Sequence, residues 1–413
     1  MDIREVKSYQ KQLLKYVEVF NDLLGRRERQ HWCLMYLLGL LLDGERKSIQ
    51  PMAEKLSGGD EQSMQQFVNQ SPWLHLPILK RLSSYLYERT PNHRGVLVLD
   101  DTSLPKKGKY SVGVARQYCG ALGKVSTCQA IVTWHYTTKA QEHFPLVGEL
   151  YLPQEWTDDS QRMEKAEIPM VKRRFRKKWE LALDLLDEMP ERVKYEALAF
   201  DAGYGEIRPF LRKLDERKEI FVAQVPESHS YWSLDVPLTY QQPKVGPRRK
   251  YPAVRDQRLK PKSAKEWGSF LEEEQKTKWE KIRLRLKSKT QVMVKAIRVK
   301  EVITEAFYRP GKERWLIIEK FGENQFKYFI SNASVNTPLK KMVGWIHQRW
   351  QVEQGYQQLK EELGLDHFEG RSWYGLHHHL TLCFMAYGFL YSLKLGKQKK
   401  INPINFATST DMA

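Results

Sequence analysis

Val96-Leu97-Val98-Leu99-Asp100-Asp101-Thr102-Ser103 is the stretch on which the fold turns. Four consecutive apolar residues, two of them β-branched, read as a short strand buried on both faces. The run ends in carboxylates, so the strand delivers charge to the edge of a buried sheet. Ala197-Leu198-Ala199-Phe200-Asp201-Ala202-Gly203-Tyr204 repeats the device, with glycines to turn the chain after the acid. A third acid, Glu353, closes His347-Gln348-Arg349-Trp350-Gln351-Val352-Glu353, inside a long stretch of helical pattern. Two apolar runs ending in Asp, then a helical Glu, is the order that a divalent-metal phosphodiester enzyme needs. Carboxylates at strand ends and on a facing helix suit two Mg²⁺ ions, with Mn²⁺ able to substitute.

Outward from the first strand, residues 127–136 read as a second strand and 145–152 as a third. Arg162 to Met189 reads as helix, Leu198 to Phe200 as a fourth strand, Ile207 to Arg217 as a helix and Ile220 to Gln224 as a fifth strand. This order makes an α/β chain with an RNase H-like mixed five-stranded sheet and flanking helices. Residues 93–225 form the first part of that core. Residues 226–336 begin as a Pro-, Lys- and Arg-rich stretch with little periodicity and continue as an antiparallel β insertion, through Ile282–Leu286, Val292–Val299, Trp315–Glu319 and Phe326–Ser331. The core resumes over 337–396 with a long helix from Thr337 through Glu362 and further helix from His377 to Leu395. Residues 397–413 read as a loosely ordered tail.

Residues 1–92 read as an all-helical domain for binding DNA. Leu13, Leu14, Val17, Phe20 and Leu24 recur at helical spacing. Ser48 is a candidate cap for a helix through Leu56, with Pro51 in its first turn. Gly58-Gly59-Asp60 breaks that helix, and Glu61 to Asn69 starts another. Helix, glycine turn, helix fits a helix-turn-helix DNA reader and an ordinary helical hairpin alike.

The chain has 413 residues, enough for two or three domains. Lys+Arg outnumber Asp+Glu by 68 to 50, a formal charge of +18 that points to a polyanionic partner. Cys33, Cys119, Cys128 and Cys383 are scattered and form no CxxC pair, so neither a disulfide framework nor a zinc ribbon is expected. Met1 to Glu5 lacks the apolar stretch of a signal peptide, and Leu34–Leu42 is too short to span a bilayer, so neither a leader nor a membrane span is expected. A cytoplasmic, nucleoid-associated protein without membrane contact is expected.

Singly, the three acids are ordinary. Asp101 and Asp201 each suit a turn, and Glu353 suits a solvated helix face. Successive strand side chains alternate faces, so only one of Asp100 and Asp101 is expected at a shared site. At about 100° per residue, Arg349 stands roughly 40° from Glu353 and Lys360 roughly 20° from Arg349 around one helix. They form a stripe of cation, carboxylate and cation, suited to a metal site beside phosphates. An i,i+4 ion pair on a solvated helix gives the first half of the stripe equally well. Lys172-Arg173-Arg174-Phe175-Arg176-Lys177-Lys178, on the expected helix, and Lys244 to Lys265 supply further cations for phosphates. Three consecutive helical residues point in different directions, so His377-His378-His379 is not expected to hold a metal.

Taken together, these stretches resemble the catalytic core of bacterial insertion-sequence transposases of the DDE endonuclease superfamily. The likeness is to the cut-and-paste branch, which has a β insert before the last catalytic helix, and it spans about residues 30–390. It implies Asp101, Asp201 and Glu353 as catalytic metal ligands. Asp101, which precedes Thr102, matches the first motif better than Asp100, the second choice. It also implies phosphate contacts from Arg349 and Lys360, and from Lys106, Lys107 and Arg116 in the loop after the first strand. Relatives carry a Tyr ahead of the Arg; here that position is Ile346, with His347 next to it. The implied activity is Mg²⁺-dependent cleavage at the ends of a transposable element and joining of the 3′-hydroxyls to target DNA. The implied partners are double-stranded DNA, both terminal inverted repeats and target, and a second copy of the chain in a homodimer on DNA. An RNase H-like nuclease without strand transfer, and a DNA-binding regulator with a dead core, are the alternatives.

Overall fold

The structure, a computed structural model, describes residues 3–91, 93–240, 252–256, 258–273, 278–285, 289–304, 309–322 and 325–401. The first ninety or so residues are helical: α1 (Ile3–Glu18), α2 (Asn21–Leu24), α3 (Arg27–Leu41), α4 (Ile49–Lys55), α5 (Glu61–Asn69) and α6 (His75–Arg89). Gly58, with φ of 78°, turns the chain between α4 and α5, and Asp60 caps α5 by accepting the Ser63 N–H at 2.8 Å.

A sheet follows, from β1 (Gly95–Pro105), β2 (Ala115–Cys119), β3 (Lys124–Thr137) and β4 (His143–Leu150). After α7 (Gln154–Thr157), α8 (Ser160–Lys165) and α9 (Lys178–Asp187) come β5 (Tyr195–Phe200), α10 (Ala202–Gly205), α11 (Arg208–Glu216) and β6 (Phe221–Val225). Then come β7 (Ser230–Ser233), β8 (Leu238–Thr239), β9 (Ala253–Val254), β10 (Lys262–Ser263) and α12 (Ala264–Glu273). The last strands are β11 (Glu280–Arg285), β12 (Lys289–Ile303), β13 (Arg309–Lys320) and β14 (Phe326–Ser331), and the chain finishes in α13 (Leu339–Gln348), α14 (Trp350–Glu361) and α15 (Trp373–Ile401).

β1, β3 and β4 are antiparallel neighbours, whereas β1, β5 and β6 run parallel. The five expected core strands are therefore present, but they do not make a five-stranded sheet. β14 pairs with the outer edge of β6, and the insertion continues the same sheet through β13, β12 and β7, giving twelve strands among the described residues. The physical reason is the edge of β6, whose unpaired backbone groups the insertion covers.

Several expectations fail locally. β1 does not stop at Leu99; it runs through Asp100 and Asp101, which pair with Thr133 and Val132 of β3. Arg162 to Met189 is not one helix. Glu167 turns with φ of 55°, and Pro169 disfavours helix at the residue before it, so α8 ends early. The basic run 172–177 is therefore a 3₁₀ turn and loop, and helix restarts only at Lys178. The stretch before residue 265 was read as lacking periodicity, yet α12 starts at Ala264. Its start is fixed by reciprocal bonds: Ser263 Oγ accepts the Glu266 N–H, and the Glu266 carboxylate accepts the Ser263 N–H. The long helix from Thr337 is two, α13 and α14, meeting at Arg349. β2 forms where a loop was expected. Residues 397–401, placed in the tail, belong to α15; 402–413 and much of 244–265 lie outside the described residues.

One buried apolar cluster runs from Leu13 through Leu395, so the N-terminal helices share the core of the sheet. Tyr16 donates to the Met385 carbonyl at 2.8 Å, and Ser83 to the Leu146 carbonyl at 3.0 Å. Among the described residues no helix is long and apolar enough to cross a membrane. α14 lies close to the sheet because Gly355 has no side chain: a Cβ there would stand 2.0 Å from Cε1 of His143. Gly355→Ala should therefore cost about 1–3 kcal/mol or more, measured as a lower urea midpoint with unchanged slope.

Candidate active site

Parallel pairing sets the site. Val98 of β1 is level with Ala199 of β5, and the acids two residues further on, Asp100 still in β1 and Asp201 just past the end of β5, come near enough for the charge of Asp201 to raise Asp100. Thr133, the β3 partner of Asp100, shares its face of the sheet, and the Thr133 hydroxyl meets that of Tyr356 on α14. Asp101 takes the opposite face, beneath α9, where Lys178 Nζ lies 2.6 Å from its Oδ2. Tyr204 O–H donates to the other oxygen of Asp101 at 3.4 Å. Of the adjacent pair, Asp100 faces α14, while Asp101, held by Lys178 and Tyr204, still lies near enough to Asp201 for its charge to be felt there.

Asp201 caps the short α10, accepting the Tyr204 N–H at 3.2 Å. Gly205 makes that turn possible, since a Cβ there would lie 2.0 Å from the Gln224 carbonyl oxygen. Burial, and then the charge of Asp201, push Asp100 up to about 7. Burial also raises Asp201, with its bond from Tyr204 and the Arg349 charge pulling the other way and the charge of Asp101 adding to the rise.

Arg349 stands between these acids and Glu353. Its Nη1 is 3.8 Å from Asp100 Oδ2, and its Nη2 is 2.7 Å from Glu353 Oε1. Glu353 is exposed, in the first turn of α14, where the positive end of the helix dipole favours a carboxylate. Lys360, on the same helix, donates to the Ser103 carbonyl at 3.0 Å and ties α14 to β1. Lys106 turns inward, donating to the Asp366 and Phe368 carbonyls at 3.0 and 2.7 Å, and burial lowers it to about 8. Lys107 and Arg116 are exposed.

Oxygen-only donors, one of them lifted to about 7 by burial first and by its neighbour's charge second, suit a hard divalent cation, which would favour their charged form. Asp100 and Asp201 fit such an ion. Glu353 joins the set only by leaving Arg349, and among the described residues no three acidic, histidine or cysteine side chains are already gathered for one ion.

The His triplet has a different role. His377 donates to the Trp373 carbonyl and accepts the Leu150 N–H; His379 meets the Tyr36 hydroxyl and the Gly364 carbonyl. His378 stacks on Trp73 and contacts the Val68 and Trp73 carbonyls. All three are buried core residues, pushed down to between about 3 and about 4 by burial.

The sequence matches the DDE superfamily endonuclease pattern over residues 19–291. The chain belongs to the DDE superfamily endonucleases. The matched stretch includes both aspartate-bearing strands and ends before Glu353. The chain is also 28% identical over 195 residues to a probable transposase for insertion sequence element IS701 from Microchaete diplosiphon, covering 46% of this chain. It spans about half the length of that relative, 48%.

Sequence reasoning missed Lys178, Tyr204 and Tyr356 as neighbours of the acids. Lys178 was hidden in a basic run assigned wholly to a helix. Tyr204, in the turn after Asp201, and Tyr356, three residues after Glu353, carried positional signals. Because the folded state holds Asp100 above its ordinary value, its contribution to stability is complete below about pH 4 and is lost as pH rises through 7. In EDTA, Asp100→Asn should raise the melting temperature at pH 8, by on the order of a few kcal/mol in stability, and leave it unchanged at pH 4.

Proposed function

We propose that this protein is a DNA transposase that cleaves phosphodiesters at the ends of an insertion sequence and joins the 3′-hydroxyls to target DNA. The observation that supports this reading is Asp100, raised in part by the charge of Asp201, meeting Arg349, which also holds Glu353. The order of β4, β3, β1, β5 and β6, antiparallel then parallel, supports an RNase H-like core. Membership of the endonuclease family and likeness to an insertion-sequence transposase support the reaction class.

In this reading Asp100, Asp201 and Glu353 hold the metal, and Asp101, preferred on sequence grounds, braces the strand from the opposite face through Lys178. Two Mg²⁺ ions, or Mn²⁺, would activate water and stabilise the leaving oxygen in an in-line displacement. Arg349 changes partner, from the carboxylates to the phosphate of the cut strand, as Glu353 turns inward. Lys360 holds α14 at its height above β1, and Lys107 and Arg116 lie exposed for flanking phosphates.

Residues 226–336 carry 24 Lys+Arg against 13 Asp+Glu, so the insertion holds most of the chain's excess positive charge. It is the proposed platform for terminal-repeat and target duplexes, with affinity that falls steeply with salt. The helix-turn-helix reading of α4 and α5 assigns the sequence-specific contacts. Two ends must be joined, so a homodimer on DNA in the bacterial cytoplasm is the proposed working form.

Asp201→Asn should lower Mg²⁺-dependent cleavage of the cognate end by roughly a thousandfold or more, read on a labelled duplex, with duplex affinity unchanged. Full cleavage by that variant contradicts the reading. Joined products in a target plasmid separate strand transfer from simple nuclease action.

A further inference from the structure

Behind the acids lies a polar chain, buried except at its last link, that none of the chemistry above uses. Tyr356 on α14 meets the Thr133 hydroxyl of β3; Thr133 Oγ1 lies 2.7 Å from His135 Nε2. His135 Nδ1 lies 2.9 Å from His143 Nε2 on β4, and His143 Nδ1 lies 2.8 Å from the Tyr387 hydroxyl on α15. Tyr387 O–H then donates to Gln358 Oε1 at 3.2 Å, back on α14.

Donor arithmetic orders this chain. Both imidazoles are held neutral by burial, His143 down to about 3, so each ring has one donor and one acceptor. The Gln358 oxygen can only accept. Every link is satisfied when Tyr356 donates to Thr133, Thr133 to His135, His135 to His143, His143 to Tyr387 and Tyr387 to Gln358. Both histidines then carry their proton on Nδ1.

The chain starts and ends on α14, the helix that bears Glu353 and Lys360 and begins at Arg349. Thr133 Oγ1 also sits 3.4 Å from the Asp100 carbonyl oxygen, a contact and not a hydrogen bond when its one proton goes to His135, so the hydroxyl lies between β1 and α14. Gly355 lets the helix sit directly on His143. Apolar packing is non-directional and would let α14 slide along the sheet; an ordered chain of directional bonds does not.

We infer that Thr133, His135, His143 and Tyr387 are positioning residues, a hydrogen-bonded ruler that fixes α14 so that Glu353 closes on Asp100 and Asp201. This rests on the reading of those acids as a cation site. Thr133 is the decisive link, because valine has the same shape without the hydroxyl and serine keeps it.

The test uses the full chain and Ca²⁺, which shares the oxygen-donor preference of Mg²⁺. Binding is read as the Ca²⁺-dependent rise in melting temperature, and turnover with Mg²⁺ on a cognate duplex. Thr133→Val should weaken Ca²⁺ binding and lower kcat, each roughly ten- to a hundredfold, with KM for DNA nearly unchanged; Thr133→Ser should behave like the native chain. If Thr133→Val fails to fold, Tyr356→Phe keeps the ring and should give the same pattern. In ¹⁵N spectra both His135 and His143 should show the Nδ1-protonated tautomer. A lower melting temperature with unchanged Ca²⁺ affinity and kcat, or the opposite tautomers, overturns the proposal. Should Ca²⁺ fail to stabilise the native chain at all, it is the cation-site reading that falls.

Discussion

Parallel pairing of β1 with β5 forces two carboxylates together at a place where burial makes each more costly. Asp100 and Asp201 cannot move apart without breaking the register that Val96, Leu97 and Val98 make with Ala197, Leu198 and Ala199. Their repulsion can be relieved in two ways, by holding protons or by holding a cation. Arg349 already supplies part of the second, at 3.8 Å, while its other nitrogen holds Glu353.

The wider architecture keeps this pair rigid. β6 does not end the sheet, because β14 continues it, and the ion cluster of Asp215, Arg314 and Glu301 ties the insertion to α11. The insertion is thus a direct extension of the sheet that carries Asp100. On the other side, α15 carries the buried histidines and joins the N-terminal helices to β4.

What was legible in the sequence was whatever depended on local pattern. The apolar runs of β1 and β5, the acids that follow them and the helical Glu353 could all be read directly. The face that each of Asp100 and Asp101 takes could not, because it depends on how β1 pairs with β3 and β5. The basic run at 172–178 misled because charge suggested a helix surface, although Pro169 was the local signal against it. Ser263 and Glu266 spelled out a capping box that was overlooked amid surrounding prolines. The Thr133–His135–His143 chain was invisible, since its members are unremarkable alone and meet only when β3, β4, α14 and α15 assemble.

Anomalous diffraction from crystals grown with Mn²⁺ and a DNA end tests the central claim most directly. The account predicts a manganese peak bonded to Asp100 and Asp201, with Glu353 turned from Arg349 toward it and Lys178 still on Asp101. A peak bonded to Asp101 on the α9 face, or none at these aspartates, would contradict it.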